Sequence, residues 1–200
     1  MNGRTRKYQR YVAAQCEANT RKLHLVWAME ENIGFLSGYL RGRIRQPKLG
    51  LCHGTRGGQE QAWFRKYLMG CEVLGTEISP TAEQFPHTIQ WDFHLPRPEW
   101  TGRADFVYSN ALDHAHDPHR ALQVWAESLQ PNGLCIIEHT SGHSAGASAI
   151  DPFKAPQAKL LGYIADWGAG RYELHETLRA PVLRAGESAA AFIILKRIAA

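Results

Sequence analysis

From Pro47 onward the chain alternates short, almost uninterrupted apolar runs with helix-like stretches, and few folds accept that pattern. Residues 49–52 read as a buried strand that opens onto His53-Gly54-Thr55-Arg56-Gly57-Gly58, and residues 59–68 read as a helix. Residues 71–78 form a second strand ended by Ser79-Pro80, residues 88–93 a third and residues 104–109 a fourth. Asp117-Pro118 has the chemistry of a helix start, and that helix stops at Pro131-Asn132-Gly133 before a fifth strand at residues 134–139. Alternation of this kind implies a parallel sheet covered by helices on both faces. Only about eight residues separate strands two and three and about ten separate three and four, fewer than a helical crossover needs. The covering helices there are expected to be reduced. A loop rich in Gly, Ser and Ala follows at residues 141–148, then a short amphipathic helix at 158–167. Two further strand-like runs, 172–178 and 190–198, form a terminal antiparallel pair.

The first 45 residues read as helical, with apolar positions at helical spacing through Tyr11, Ile33, Leu36 and Leu40. The expected organisation is a helical N-terminal extension or lid over residues 1–46 and a single α/β domain over residues 47–200. At 200 residues and 44% hydrophobic, the chain builds a core without help from disulfides or a metal. The cysteines, Cys16, Cys52, Cys71 and Cys135, have no CxxC spacing. No apolar run reaches the roughly 18 residues that span a bilayer, and the N-terminus lacks a secretory signal, so a cytoplasmic protein with no membrane partner is expected.

In an open parallel sheet a ligand binds beyond the C-terminal strand ends, where strand order reverses. Four such ends are informative. The loop after strand one is glycine-rich without being GxGxxG, because Arg56 fills the second glycine's place. Glu77 ends strand two, about twenty residues on, where an acid can accept hydrogen bonds from ribose hydroxyls. Asp92 and Phe93 at strand three could serve an adenine, the carboxylate accepting from its amino group and the ring stacking. The fourth end reads Asp105-Phe106-Val107-Tyr108-Ser109-Asn110-Ala111-Leu112-Asp113-His114, with Asp117-Pro118 following.

With these residues in place, the stretch 49–139 resembles the class I S-adenosylmethionine-dependent methyltransferases, in their small-molecule branch. The resemblance is carried by the Tyr108-to-Pro118 segment, by Leu129-Gln130-Pro131-Asn132-Gly133 and by Glu77-Ile78-Ser79-Pro80. It implies a Rossmann-like, seven-stranded, mostly parallel sheet of order 3-2-1-4-5-7-6. It also implies S-adenosylmethionine as cofactor. His53, Gly54, Thr55, Arg56 and Gly58 would hold its methionine and ribose side, with Glu77, Ile78 and Ser79 at the ribose and Asp92 and Phe93 at the adenine. Ser109, Asn110, Ala111 and His114 would lie near the methyl group. Cys52 stands where the family commonly has an acid, and Arg56 where it has glycine.

The activity implied is methyl transfer to a small-molecule acceptor, a hydroxyl first, with transfer to an amine or an inactive cofactor-binding partner subunit as alternatives. An alcohol acceptor needs a base, and the histidines clustered after strands four and five suit that role. The order of preference is His139, then His114, then His143. A metal held by His114, His116 and His139 was the competing option. Neither HExxH nor facial-triad spacing appears, and no metal is expected. A nucleic-acid base methyltransferase would place Pro-Pro after Asn110, where Ala111-Leu112 stands, so no nucleic-acid partner is expected. Arg56 and the lack of a Tyr-x-x-x-Lys pair near strand five disfavour a nicotinamide oxidoreductase. Residues 1–48 carry ten Lys/Arg against three acids, while the remainder is slightly acidic. The basic segment suggests an anionic acceptor under the lid, against the simpler reading of a solvated helix face. Oligomeric state is left open, a homodimer being one option.

Overall fold

The computed structural model describes residues 3–199. Seven strands form one sheet: β1 (Leu49–His53), β2 (Glu72–Glu77), β3 (Thr88–Gln90), β4 (Ala104–Ser109), β5 (Leu129–Thr140), β6 (Tyr172–Arg179) and β7 (Ala190–Arg197). Their order is β3-β2-β1-β4-β5-β7-β6. The first five pair in parallel, and β7 runs antiparallel between β5 and β6. This is the expected order, with the expected antiparallel terminal pair.

Side chains of successive strand residues point to opposite faces, and that alternation splits the core in two. Leu51, Val107, Cys135, Ile137, Ile193 and Leu195 face one layer, which holds α4 (Pro118–Ser128) and α5 (Gln157–Gly168). Cys52, Phe106, Tyr108, Leu134, Ile136 and Phe192 face the other, which holds α2 (Glu30–Arg43) and α3 (Gln59–Tyr67). As expected, Asp117 caps α4: its Oδ1 accepts from the Arg120 N–H at 2.9 Å, and Pro118 takes the first turn, where no N–H is needed. The crossovers beside β3 are reduced. A 3-10 turn at Pro80–Gln84 replaces the first helix, and no regular helix lies between β3 and β4.

Three local features depart from expectation. β3 ends at Gln90 instead of running to residue 93, so Asp92 and Phe93 lie in the turn beyond it. Pro131-Asn132-Gly133 does not precede β5 but lies inside it, as a register slip between the pairs Ala104↔Leu129 and Phe106↔Leu134. Asn132 absorbs the slip at φ 65°, a left-handed conformation that asparagine tolerates. The helical N-terminus is interrupted: α1 (Gly3–Arg21) and α2 are separate, and residues 24–28 are not helical despite their apolar spacing. The two helices differ in character. Ile33, Leu36 and Leu40 of α2 are fully buried against the sheet, whereas α1 lies across the C-terminal strand ends.

That crossing uses one stripe of α1. Tyr11, Gln15 and Asn19 are spaced by four residues and so share a face. The Tyr11 hydroxyl donates to the His114 carbonyl at 2.8 Å, Gln15 Nε2 to the Ile150 carbonyl at 2.6 Å and Asn19 Nδ2 to Thr81 Oγ1 at 2.9 Å. Three different loops are tied to one helix. Among the described residues no helix is long and apolar enough to cross a membrane.

Candidate active site

A cavity of about 400 Å³ lies between α1 and the C-terminal ends of β1, β2 and β4, where the strand order reverses. The loop after β1 forms its floor. The backbone N–H groups of Gly54 and Thr55 both donate to the Thr76 carbonyl, at 2.9 and 3.1 Å, which folds the loop over the end of β2. Gly54 has φ 75°, and a Cβ there would come within 2.5 Å of the Ala111 Cβ, so only glycine fits. Arg56 also adopts a left-handed conformation, at φ 42°. Its guanidinium donates to Asn19 Oδ1 at 3.0 Å and to the Leu25 carbonyl at 3.1 Å. The residue that breaks the glycine pattern thus fastens α1 and the segment after it to the loop. Gly58 caps α3 at φ 77°.

The His53 side chain turns away from the cavity. Its Nδ1 bonds to Thr76 Oγ1 at 2.8 Å, its ring stacks on Trp125 at 5.2 Å, and burial pulls its pKa down to about 3. The Ser79 side chain is likewise spent on structure, accepting from the Thr81 N–H at the start of the 3-10 turn. Ser109 Oγ donates to the His53 carbonyl and accepts from the Ala111 N–H, locking the β1 and β4 ends together. Thr55, Ile78, Phe93, Asn110 and Ala111 line the cavity, as do Glu77 and Asp92.

The carboxylates are arranged to be used. Glu77 accepts from the backbone N–H groups of Arg56 (3.2 Å) and Ser79 (3.0 Å), and burial nevertheless keeps its pKa raised. Asp92 Oδ1 is shared by the His94 N–H at 3.0 Å and His94 Nδ1 at 2.7 Å. Asp92 Oδ2 is buried with no partner, and so is Asn110 Nδ2. Buried polar atoms are rarely left unpaired, and these two flank one cavity. A nucleoside carrying a diol and an amino group meets the right partners here, so the residues fit S-adenosylmethionine.

The histidines separate by hydrogen bonding. His139 does not line the cavity; its Nε2 meets the Ala155 carbonyl at 2.9 Å, so that nitrogen carries the proton. His143 lines it, but Nδ1 accepts from the Thr140 N–H at 3.3 Å, which leaves the proton on Nε2 and makes His143 a donor. His114 lines it with the opposite polarity. Its Nδ1 faces the Ile150 carbonyl at 2.9 Å and Asp151 Oδ1 at 3.1 Å, so Nδ1 holds the proton and Nε2 keeps its lone pair. Burial lowers the His114 pKa, but the Asp151 hydrogen bond and the Asp113 charge outweigh it and the net shift is upward. The same hydrogen bond holds Asp151 down at about 2. The three histidines weighed as a metal set are not gathered: His116 packs with Tyr8, Tyr11 and His94 instead.

Six wall residues were not among the expected site residues: Tyr11, Glu60, Asp113, Asp151, Lys154 and Glu187. Asp113 stood inside the motif beside His114. Asp151 and Lys154 follow a stretch that reads only as a Gly/Ser loop. Glu60, in the first turn of α3, has its pKa pushed up to about 7 by burial. Of the ten basic residues in the first 48, only Lys22 lines the cavity, and six acids face Lys22, Arg56 and Lys154. The sign of the wall does not support an anionic acceptor.

Residues 51–137 match the model of a family described as a methyltransferase domain. No curated protein sequence matches the chain. Among solved structures, the chain is similar to the Burkholderia thailandensis 1,6-didemethyltoxoflavin-N1-methyltransferase, solved with S-adenosylhomocysteine bound. The TM-score is 0.72 at 17% identity, over 96% of this chain and 90% of that one. It is also similar to the CurJ carbon methyltransferase, with a TM-score of 0.60 at 11% identity over 84% of this chain and 54% of that one. A third similar structure is the mitomycin 7-O-methyltransferase, with a TM-score of 0.61 at 12% identity over 84% and 53%. These identities speak to fold, and the fold is shared by proteins named for methylating nitrogen, carbon and oxygen. The segment that matches the methyltransferase-domain model runs from β1 into β5, and the chain as a whole has the fold of these class I, S-adenosylmethionine-dependent methyltransferases.

Proposed function

We propose that the protein binds S-adenosylmethionine over the ends of β1, β2 and β3 and transfers its methyl group to a small-molecule hydroxyl held under α1. The observation that carries this reading is the pair of unpartnered buried atoms, Asp92 Oδ2 and Asn110 Nδ2, facing one cavity with the Glu77 carboxylate. Bound there, the cofactor supplies an electrophilic methyl group on a sulfonium. The chain's own work is positioning and exclusion of water. Glu77 accepts from the ribose hydroxyls, Asp92 from the adenine amino group, Phe93 packs on the base, and the loop from His53 to Gly58 contributes backbone.

A hydroxyl must lose its proton as its oxygen is methylated. His114 is built to take it, with Nδ1–H anchored on Asp151 and the Ile150 carbonyl and Nε2 available. Asp151 orients the ring and stabilises the imidazolium that forms. This supports oxygen over a neutral amine, which needs no such base. In this reading residues 47–200 carry the chemistry, and residues 1–46 supply α1 as the cover.

Isothermal titration with S-adenosylmethionine and S-adenosylhomocysteine tests the reading. Binding in the micromolar range is expected, and no heat at tens of micromolar (roughly −6 to −7 kcal/mol on the affinity scale) overturns it.

A further inference from the structure

Three polar groups at the far end of the cavity have no role in the reading above. Asp113 is 7% exposed, and its Oδ1 has no hydrogen-bond partner. Its Oδ2 lies 3.8 Å from Lys154 Nζ and 3.9 Å from His143 Nε2, both beyond hydrogen-bond length. Lys154 gives one of its three donors to the Gly142 carbonyl at 2.7 Å and holds the others near Asp113 and Asp151. His143 presents Nε2–H, because Nδ1 is committed to Thr140. One patch of wall therefore offers an unmet acceptor beside two donors, one of them charged, next to His114.

Asp113, His114 and Asp151 also bring potential metal-ligand atoms within 4.8 Å of one another. The Lys154 ammonium, however, already sits 3.6–3.8 Å from both carboxylates, where a second cation would meet its repulsion. The patch is better matched to an organic group.

We propose that Asp113, His143 and Lys154 form the acceptor-recognition subsite, and that it selects compounds in which an N–H or O–H adjoins a carbonyl oxygen. The donor is received by the Asp113 carboxylate, neither oxygen of which makes a hydrogen bond among the described residues. The adjoining oxygen accepts from His143 Nε2–H and Lys154. Both donors stand within 4 Å of the same carboxylate, which is the compactness an adjoining pair requires. This assignment rests on the methyl-transfer reading for its purpose but not for its test.

Two probes separate the possibilities: 2-pyridone, with N–H beside C=O, and N-methyl-2-pyridone, which lacks the donor. Their binding is followed by ligand-observed NMR on protein saturated with S-adenosylhomocysteine, and again without it. We expect 2-pyridone to bind at least tenfold more tightly. Asp113→Leu, which leaves no acceptor there, should erase that preference with S-adenosylhomocysteine affinity unchanged within twofold. Lys154→Gln should weaken both probes and keep the preference. Equal binding of the two probes, or binding of neither, overturns the proposal. So does a requirement for Mg²⁺ that Asp113→Leu abolishes. If S-adenosylhomocysteine fails to bind while the probe preference holds, the methyl-transfer reading falls and the subsite stands.

Discussion

Gly54→Ala tests whether the floor of the cofactor site is as constrained as its geometry implies. Two costs add at this position. An alanine at φ 75° sits in the left-handed region, which costs about 1–2 kcal/mol. Its Cβ would also meet the Ala111 Cβ at 2.5 Å, far inside van der Waals contact, and overpacking of that kind costs about 1–3 kcal/mol. The sum is about 2–5 kcal/mol. For a chain of this size it lowers Tm by roughly 4–20 °C. The two parts can be separated, because adding Ala111→Gly removes the overlap and leaves the backbone strain. Gly54→Ala/Ala111→Gly should therefore recover about 1–3 kcal/mol relative to the sum of the single variants, read from urea unfolding as a double-mutant cycle. S-adenosylhomocysteine affinity should follow the same order, since the contact joins the β1 and β4 ends under the ligand. Strict additivity, or a Gly54→Ala variant as stable as the parent, would refute the argument.

Glu77→Gln keeps the side chain's size but removes its charge and one acceptor. We expect cofactor binding to weaken by about 1–3 kcal/mol, and unchanged calorimetric affinity would remove Glu77 from the ribose site. Asp151→Asn takes away the partner that raises the His114 pKa. The rising limb of activity with pH should then move to lower pH, and the His114 resonance in an NMR titration should move with it. The sign for stability is opposite for the two partners. His114's share is complete below its ordinary 6.5 and lost as pH rises through its higher folded value, whereas Asp151's is lost as pH falls from about 4 through about 2. Glu60→Gln should stabilise the unliganded protein at pH 8 and leave it unchanged near pH 4. Ionising a carboxyl raised to about 7 costs up to about 3 kcal/mol, a cost that grows as pH climbs from 4.5. His139→Ala should cost about 1–3 kcal/mol of stability through the lost bond to Ala155 and retain turnover.

The alternation of strands and helices, the reduced crossovers beside β3 and the capped start of α4 were legible because each follows from local rules of period, length and cap chemistry, whereas the strand order came only with the resemblance to the methyltransferases. Glu77 was legible as a wall residue because it closes β2, and Asp92 because it follows β3 by only two residues. The histidines were harder to rank. His139, His114 and His143 are equivalent as letters; what separates them is which ring nitrogen is already committed, and that depends on the carbonyls of Ala155 and Ile150 and the N–H of Thr140. Asp151 and Lys154 were illegible for a related reason, since they reach the cavity from a loop whose path is set by tertiary contacts. The break after α1 overrides a good helical period, and within it Arg56 donates to the Leu25 carbonyl, a bond no local pattern announces.

The α1 strap sets a clock as well as a wall. Its three side-chain anchors and the Arg56 link to Asn19 are worth about 1 kcal/mol each, or about 4 kcal/mol together, so the lifted state is populated about one time in a thousand. A ligand that enters only when α1 lifts arrives about a thousandfold more slowly than docking alone allows, at roughly 10²–10⁴ M⁻¹s⁻¹. In the proposed reading the spent cofactor would leave by the same door. Turnover would then run at the pace of a helix letting go of four segments, and shortening Gln15 to alanine should quicken both arrival and departure while leaving the proposed cofactor contacts in place.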